Sequence, residues 1–507
     1  MEKLLLLFLL SIVSNRSDAQ VVTVNDTVEY ARVQAYNNKF EEADRLLTIY
    51  NDDHADINGL RLHAQVLYWM KEFDRSATVY EKALKLFPDI KVLLLDYGRM
   101  LWELHKLPKG EAMLNEYLLS DGQHPEANML LAYINYWKGH TAAARKRLAV
   151  VLTPFPGNEP ALALLKEINA ATAPYLKIGG QLSSDDQPLK KSGFNAEAGW
   201  YRSWLFSPVI QFSSDKADVD NRTYSTVWVQ AGNKISFGHS GFSSAFKGGL
   251  FNHPTADHTI LTGAVSLSLK LSGALALVAG TERMPYQYTI TSIKIPVMQQ
   301  LSVVALNLNK NDKWWGKAAF QMVGFDDENK IQTFYLWTLM PVINKRYIKL
   351  KAGYAFNHSN AEKNTFVPTQ SISTIVSTTV PGGTVAGYYQ PYFTPNNQSV
   401  HSLLGYAGLQ LSKHVFLTSR ASIGVAAKAD QPGLILAKSP GNIFSINKNY
   451  SNQTYTPVEF NNEISFKLTD RLSSAIMYEY NRLLFYTINQ GSIHLKYAFI
   501  HDRKKQI

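Results

Sequence analysis

His401–Asp430 reads HSLLGYAGLQLSKHVFLTSRASIGVAAKAD, two runs of alternating side chains joined by Ser412-Lys413-His414. In the second run Val415, Leu417, Ala421, Ile423, Val425 and Ala427 share one parity, while Thr418, Arg420, Ser422 and Lys428 share the other. A period of two is that of a β-strand with one apolar and one polar face. The solvents decide the fold class. Either a soluble sheet sets its apolar face on a core, or lipid meets that face and a water-filled lumen meets the other.

The same alternation recurs throughout the second half of the chain. In YIKLKAGYAFNH, Ile348, Leu350, Ala352, Tyr354 and Phe356 oppose Lys349, Lys351 and Asn357. FNNEISFKL sets Phe460, Ile464, Phe466 and Leu468 against Asn461, Glu463, Ser465 and Lys467, and LSSAIMYEYN follows after a tight turn with Glu479 on its polar side. Near the end, GSIHLKYAF places His494 and Lys496 opposite Ile493, Leu495, Tyr497 and Phe499. Many runs reach about nine residues or more, the length a tilted strand needs to cross a bilayer. Trp200, Tyr201, Trp314, Trp315, Tyr478 and Tyr480 stand near run ends, as an aromatic girdle requires. Short turns alternate with longer polar loops, around residues 358–398 and 429–456. The lipid reading therefore stands, and a sheet in lipid must close on itself. At about 20 residues per strand with its connection, residues 174–507 give about 16 antiparallel strands. The marking is odd in number around Trp314 to Tyr354, so one strand there is misassigned.

Lys349, Lys351, Arg420, Glu463, Lys467, Glu479 and Lys496 all take the polar parity and are the candidate lumen-lining residues. A charge on the lipid face near mid-bilayer costs about 2–4 kcal/mol. Inside, opposite signs can pair between neighbouring strands, with Glu463 and Lys467 on one and Glu479 on the next.

The chain opens MEKLLLLFLLSIVSNRSDAQ: Lys3, an apolar run Leu4–Val13, and Ser17-Asp18-Ala19 before Gln20. This is a secretory signal peptide over residues 1–19, its apolar run too short for a comfortable span. There is no cysteine, so the exported chain relies on packing and hydrogen bonding. Charge divides unevenly. Residues 20–173 carry 17 Lys and Arg against 20 Asp and Glu; residues 174–507 carry 32 against 19. The basic half suits an anionic substrate, and equally outer-loop lysines against anionic lipopolysaccharide.

Residues 20–173 contain a repeat. KFEEADRLL, EFDRSATVY, KLPKGEAML and HTAAARKRL align on Ala43, Ser76, Gly110 and Ala144, at spacings of 33, 34 and 34 residues. Twelve residues earlier stand Ala31, Ala64, Gly98 and Ala132, small where two helices cross, and four later stand Leu47, Tyr80, Leu114 and Leu148. This resembles the tetratricopeptide repeat, a helix–turn–helix unit of period near 34. About four units form an α-solenoid, with Asn158–Thr172 as a capping helix. The fold class is thus α + β multidomain: signal peptide 1–19, periplasmic repeat domain 20–173, transmembrane β-barrel 174–507. In the repeat family the inner face binds partners through first-helix residues. That implies a candidate groove of Arg32, Tyr68, Arg99, Trp102, Tyr133 and Tyr136, where aromatics could stack on sugar rings and arginines grip a carboxylate. Some of these aromatics equally suit packing between repeats.

Signal peptide, repeats and C-terminal barrel together resemble the YaiO family of bacterial outer-membrane proteins. More distantly they resemble exporters of cellulose and poly-N-acetylglucosamine, which have many more repeats than the four here. ERMPYQY (Arg283, Pro285) and GYYQPYFTP (Tyr388, Tyr389, Pro391, Pro395) support the resemblance. It implies an outer-membrane location and a conduit for polysaccharide export or transport, with a polysaccharide substrate and a periplasmic protein partner at the repeats. The alternative is a non-conducting anchor that recruits partners through its repeats. Outer-membrane lipid or lipopolysaccharide is a further expected partner; no nucleic acid is, and the chain is expected to be a monomer.

Enzyme motifs are thin. GHSGFS (Gly238–Ser243) lacks the spacing of a nucleophile elbow. His253 and His258 read as solvated loop histidines rather than metal ligands. Asp326–Asn329 reads as an acidic turn rather than a calcium loop. No enzyme, cofactor or metal is expected.

Overall fold

The computed structural model describes residues 26–186, 189–237, 241–310, 313–484 and 486–500. The signal peptide and the first three residues of GHSGFS lie outside the described residues. Among the latter, nine helices precede the first strand: α1 Asp26–Tyr36, α2 Phe40–Asp53, α3 Ile57–Trp69, α4 Phe73–Leu86, α5 Val92–Glu103, α6 Leu107–Tyr117, α7 Pro125–Trp137, α8 Thr141–Leu152 and α9 Glu159–Thr172. The chain divides into two compact units. One runs through Tyr136 and resumes over Ala142–Leu162; the other takes Trp137–Thr141 and everything from Ala163 on.

The helical unit is held at the positions the repeat pattern marks. Ala31, Ala43, Ala64, Ser76, Ala132 and Ala144 have no exposed surface, and neither do Leu47, Leu114 and Leu148. A side chain on Gly98 would put its Cβ 2.8 Å from Leu114 Cγ, so the crossing there tolerates only glycine without repacking. Ser76 donates to the Ala64 carbonyl at 2.7 Å, tying paired helices together at the crossing. The turn between the helices of each pair also repeats. Asn38, Lys71, His105 and Gly139 all hold positive φ, at the same 33- and 34-residue spacings. Lys71 is a residue type from which a left-handed turn is not read, so the sequence hides the device in that repeat.

The strands are β1 Tyr175–Asp185, β2 Lys190–Gly199, β3 Pro208–Val219, β4 Arg222–Phe237, β5 Phe242–Asn252, β6 Ile260–Lys270 and β7 Leu275–Pro285. A short helix α10, Ile290–Lys294, precedes β8 Met298–Lys310, β9 Trp314–Phe325, β10 Lys330–Asn344 and β11 Ile348–Ala361. Between β11 and the next barrel strand come β12 Phe366–Pro368, α11 Ile372–Thr378, β13 Thr384–Val385 and β14 Gly387–Tyr389. Then follow β15 Gln398–Gln410, β16 Val415–Ser439, β17 Ile443–Thr454, β18 Val458–Lys467, β19 Leu472–Arg482 and β20 Thr487–Ala498.

Sixteen of these form a closed antiparallel barrel: β1–β11, β15, β16 and β18–β20. Closure is made by β20 on β1, with Tyr175 opposite Ala498 and Ile178 opposite Leu495. Among the described residues, the sixteen-strand ring itself has no unpaired edge strand. The outward parity carries Leu176, Ile178, Leu182, Phe194, Leu250 and Ile493, all well exposed. So many large apolar side chains facing out on every wall define a lipid-facing belt. No described helix is long and apolar enough to cross a membrane.

Three details depart from the sequence reading. In β16, Ser402 pairs with Gly424 and His401 with Ala426, so Val425 is an extra residue in a β-bulge. Beyond it the faces exchange: Ala427 is buried and Lys428 exposed, the reverse of simple alternation. The 429–456 stretch is not a loop, because β16 continues for 25 residues in all and pairs with β17 as a long hairpin. Residues 358–398 likewise contain a two-stranded ribbon, β12 with β14, and β13 adds to β16. Around Trp314 three strands stand, and the total is even. Alternation is disturbed there because β10 carries a bulge at Pro341/Ile343, where proline supplies no ladder donor.

Candidate functional site: repeat face, lumen wall and mouth

On the first helices of the repeats, most of the charge is neutralised within the chain. Arg99 holds Glu126 with two nitrogens, at 2.5 and 2.8 Å, and Asp96 with a third at 3.1 Å. Asp96 is buried and also accepts from Arg61 at 2.6 Å. Arg32 pairs with Glu29 one turn earlier. A partner's carboxylate would therefore compete with acids already in place. Trp102 and Tyr133 meet at 5.8 Å between ring centroids, tilted by 53°. Trp102 packs on the cluster of Leu95, Leu114 and Leu131, and Tyr68 on that of Tyr80, Tyr97 and Met100. Tyr136, like Tyr133, is half-buried. Arg99, Trp102 and Tyr133 thus form a joined polar–aromatic patch, whereas Arg32 stands two repeats away. Trp102→Ala should lower the unfolding free energy of the helical unit by about 2 kcal/mol, less than the cost of truncating a fully buried tryptophan. Urea titration followed by the helix signal in circular dichroism checks this. An unchanged midpoint would release Trp102 from the core and leave it wholly to the face.

Along the inner face of the barrel the seven candidate residues have different surroundings. Lys351 is buried, its ammonium 3.3 Å from the Trp315 ring centroid and donating to the Lys313 carbonyl at 3.0 Å. Trp315 in turn meets Tyr406 edge-on at 4.8 Å, so it faces inward and leaves the girdle. Lys349 stands two residues earlier on the same face, opposite Gly408. Arg420 is exposed and sits between Tyr406 and Asn461 in the cross-strand rows. Asn461 donates to Glu479. Lys351, Tyr406, Arg420, Asn461 and Glu479 therefore follow one another through four strand pairings. Lys496 lies 4.6 Å over the Tyr175 ring. Glu463 is half-buried, between Thr418 and Met477 in its row. The expected pairing of Glu463 and Lys467 with Glu479 is replaced. Lys467, the last residue of β18, reaches only the following turn, where it pairs with Asp470 at 3.0 Å.

A second polar network was not read from the sequence. Tyr175 and Gln211 both donate to Glu197 at 2.6 Å, and Lys247 donates to Gln211 at 2.9 Å. Its strands are rich in glycine and alanine, which blurs the apolar face that makes alternation visible.

The mouth lies at the strand ends opposite Tyr175 and Ala498, and two inter-strand segments bridge it. The 286–297 segment reaches β2 and β4: Lys191 Nζ donates to the Gln287 carbonyl at 2.8 Å, and Gln287 donates to Thr226 Oγ1 at 3.2 Å. Ile293 of α10 joins Ala217, Val219 and Leu189 in a buried cluster. His253 Nε2–H donates to the Ile293 carbonyl at 2.9 Å while Nδ1 accepts from the Thr255 amide at 3.3 Å, which uses both ring nitrogens of the neutral form. Burial lowers its pKa, so protonation is resisted. His253 is thus a buried strut rather than a solvated side chain, while His258 is exposed. Lys294 pairs with Asp220 at 2.5 Å.

The second segment, 362–397, locks onto the first. Thr289 donates to the Pro391 carbonyl, and the Phe393 amide donates to the Tyr286 hydroxyl at 3.3 Å. Tyr392 stacks on Phe325 at 3.5 Å, within 2° of parallel, and donates to Asp327. Asp326 of the same turn pairs with Arg283. So ERMPYQY and GYYQPYFTP, remote in sequence, meet at the mouth, and the acidic turn 326–329 anchors both. Burial pushes the hydroxyls of Tyr286, Tyr389 and Tyr392 far up, and that of Tyr486 to about 12. These phenols stay neutral donors at any physiological pH. Among the described residues no group of three His, Cys, Asp or Glu is placed to hold a metal ion.

No family model and no curated protein matches the chain. Among solved structures, a bacterial polysaccharide outer membrane secretin aligns with 65% of this chain and 99% of its own, at 9% identity and TM-score 0.47. A tetratricopeptide repeat protein from Parabacteroides merdae aligns with 30% of this chain and 59% of its own, at 15% identity and TM-score 0.27. YrrB, a tetratricopeptide protein with an unusual peptide-binding site, aligns with 32% and 82%, at 18% identity and TM-score 0.27.

Proposed function

We propose that the chain is a YaiO-like outer-membrane protein whose barrel is a gated conduit for polysaccharide, with the repeats in the periplasm gathering the polymer or its export machinery. The observation that carries this reading is the mouth. Two segments bridge it mainly through side-chain contacts and hydrogen bonds, and their one pairing with a barrel strand, β13 on β16, lies on the part of β16 beyond its barrel neighbours, so they can leave without undoing the barrel. A 16-strand barrel is wide enough for an aqueous passage once such segments move. Tyr286 and Tyr389, half-buried beside the Tyr392 clamp, carry aromatic faces and neutral hydroxyls, the chemistry that suits sugar rings.

The second reading, a non-conducting anchor, is favoured by the same closure if it never opens. Planar-bilayer recording separates the two. A variant in which residues 364–394 are replaced by a short Gly-Ser connection should conduct in large, long-lived steps, while the unmodified protein opens rarely. Silence from both proteins, with normal barrel assembly, would establish the anchor.

A further inference from the structure

We propose that the outer wall of the barrel carries a specific groove for an anionic, phosphate-bearing membrane lipid, one acyl chain lying over Gly491 and the headgroup between Lys190 and Lys216. This goes beyond the conduit reading and holds whether or not the barrel conducts. Outward parity places Leu182, Gly491 and Tyr478 side by side on β1, β20 and β19, as the rows Leu182 opposite Gly491 and Gly491 opposite Tyr478 require. Leu182 and Tyr478 are 68% and 47% exposed. Between them Gly491 supplies no wall, and a Cβ there would meet nothing within 4 Å. The result is a groove of about 520 Å³, continued by Ser184, Ser192 and Asn489. Its lower neighbours are the exposed apolar Phe194 and Ile493, which continue the outward apolar belt.

The polar end is basic. Lys190 is the first residue of β2 and Lys216 is three from the end of β3, both outward and exposed. Lys190 stands opposite Asp218 and Lys216 opposite Ser192, which makes the two lysines diagonal neighbours, about 7–8 Å apart at their backbones. Neither makes an ion pair with a described residue. Asp218, the acid between them, accepts from Thr223 at 2.6 Å on the far strand. Tyr478 donates to Asn489 Oδ1 at 2.9 Å, which leaves the Asn489 amide nitrogen as a donor at the groove's head. Two long cations at strand ends can rise to the headgroup level while their stems cover apolar wall. A phosphate between them fits both charge and height.

Native mass spectrometry of the full-length protein, released from micelles containing equal phosphatidylglycerol and phosphatidylcholine, tests this. The unmodified protein should retain phosphatidylglycerol preferentially, and the K190A/K216A double variant should lose that preference about 30-fold, the weight of two lysines at an anionic surface. Gly491→Leu, which fills the groove and leaves the lysines, should reduce retention of the same lipid while heat-shifted gels show an intact barrel. A control pair, K345A/K413A, removes two exposed lysines from turns at the other end and should change nothing. Equal loss in the control, or full retention in K190A/K216A, overturns the site.

Discussion

Lys351→Glu will stop the barrel from assembling, while the double reversal of Lys349 and Arg420 to Glu will leave it folded and shift its ion preference. The difference lies in their surroundings. Lys351 is buried, with its ammonium on the Trp315 face and a hydrogen bond to the Lys313 carbonyl. A carboxylate in that place meets the negative face of the ring and a carbonyl oxygen, and no donor replaces the lost cation. An uncompensated buried charge costs on the order of 3–5 kcal/mol, a large share of the stability of most domains. Arg420 is exposed, so its reversal changes the field of the passage more than the fold. Heat-modifiability on gels reports assembly, and reversal potentials under a salt gradient report selectivity. Normal assembly of Lys351→Glu would show that the Trp315 contact does not hold the wall. Unchanged selectivity in the double variant would remove Lys349 and Arg420 from the ion path.

The contrast also shows what the sequence could convey. Parity alone put Lys351 and Arg420 on one face, because a two-residue period survives wherever one side must be apolar. It could not distinguish a buried lysine stacked on Trp315 from an exposed arginine, since that depends on which strand lies alongside. The repeat was legible in still more detail, down to the small residues at each helix crossing, because its contacts recur at fixed spacing. Parity failed at Val425, where a single extra residue turned Ala427 inward and Lys428 outward. No residue type announces such a bulge. The mouth was legible only as two unexplained motifs. Thr289 and Pro391 are 102 residues apart, and nothing periodic links them. His253 looked like a loop histidine because the backbone carbonyl that holds it, that of Ile293, carries no sequence signature.

A cross-link between α10 and β3 should hold the conduit shut. Ile293 and Ala217 share one buried cluster beneath the mouth, and α10 approaches β3 to within 8 Å between Cα atoms. The chain has no cysteine, so I293C/A217C introduces the only thiol pair and any redox response belongs to it. A disulfide spans Cα separations of about 4.4–6.8 Å, a small adjustment for a five-residue helix tethered by loops. Gating by the 286–297 segment needs α10 to leave Ala217 and Val219 and needs the His253 and Lys191 hydrogen bonds to break together. A covalent tie forbids that step, whatever drives it. Oxidised protein in a planar bilayer should therefore open at least about 10-fold less often than the same preparation after reduction, since a tie removes the open state from the two-state equilibrium. Reduced protein should match the parent chain, which shows that the substitutions themselves do no harm. Oxidised and reduced channels of equal activity, with the cross-link verified by mass, would mean that substrate passes without moving α10. The opening would then belong to the 362–397 segment alone, whose clamp is Tyr392 between Phe325 and Asp327.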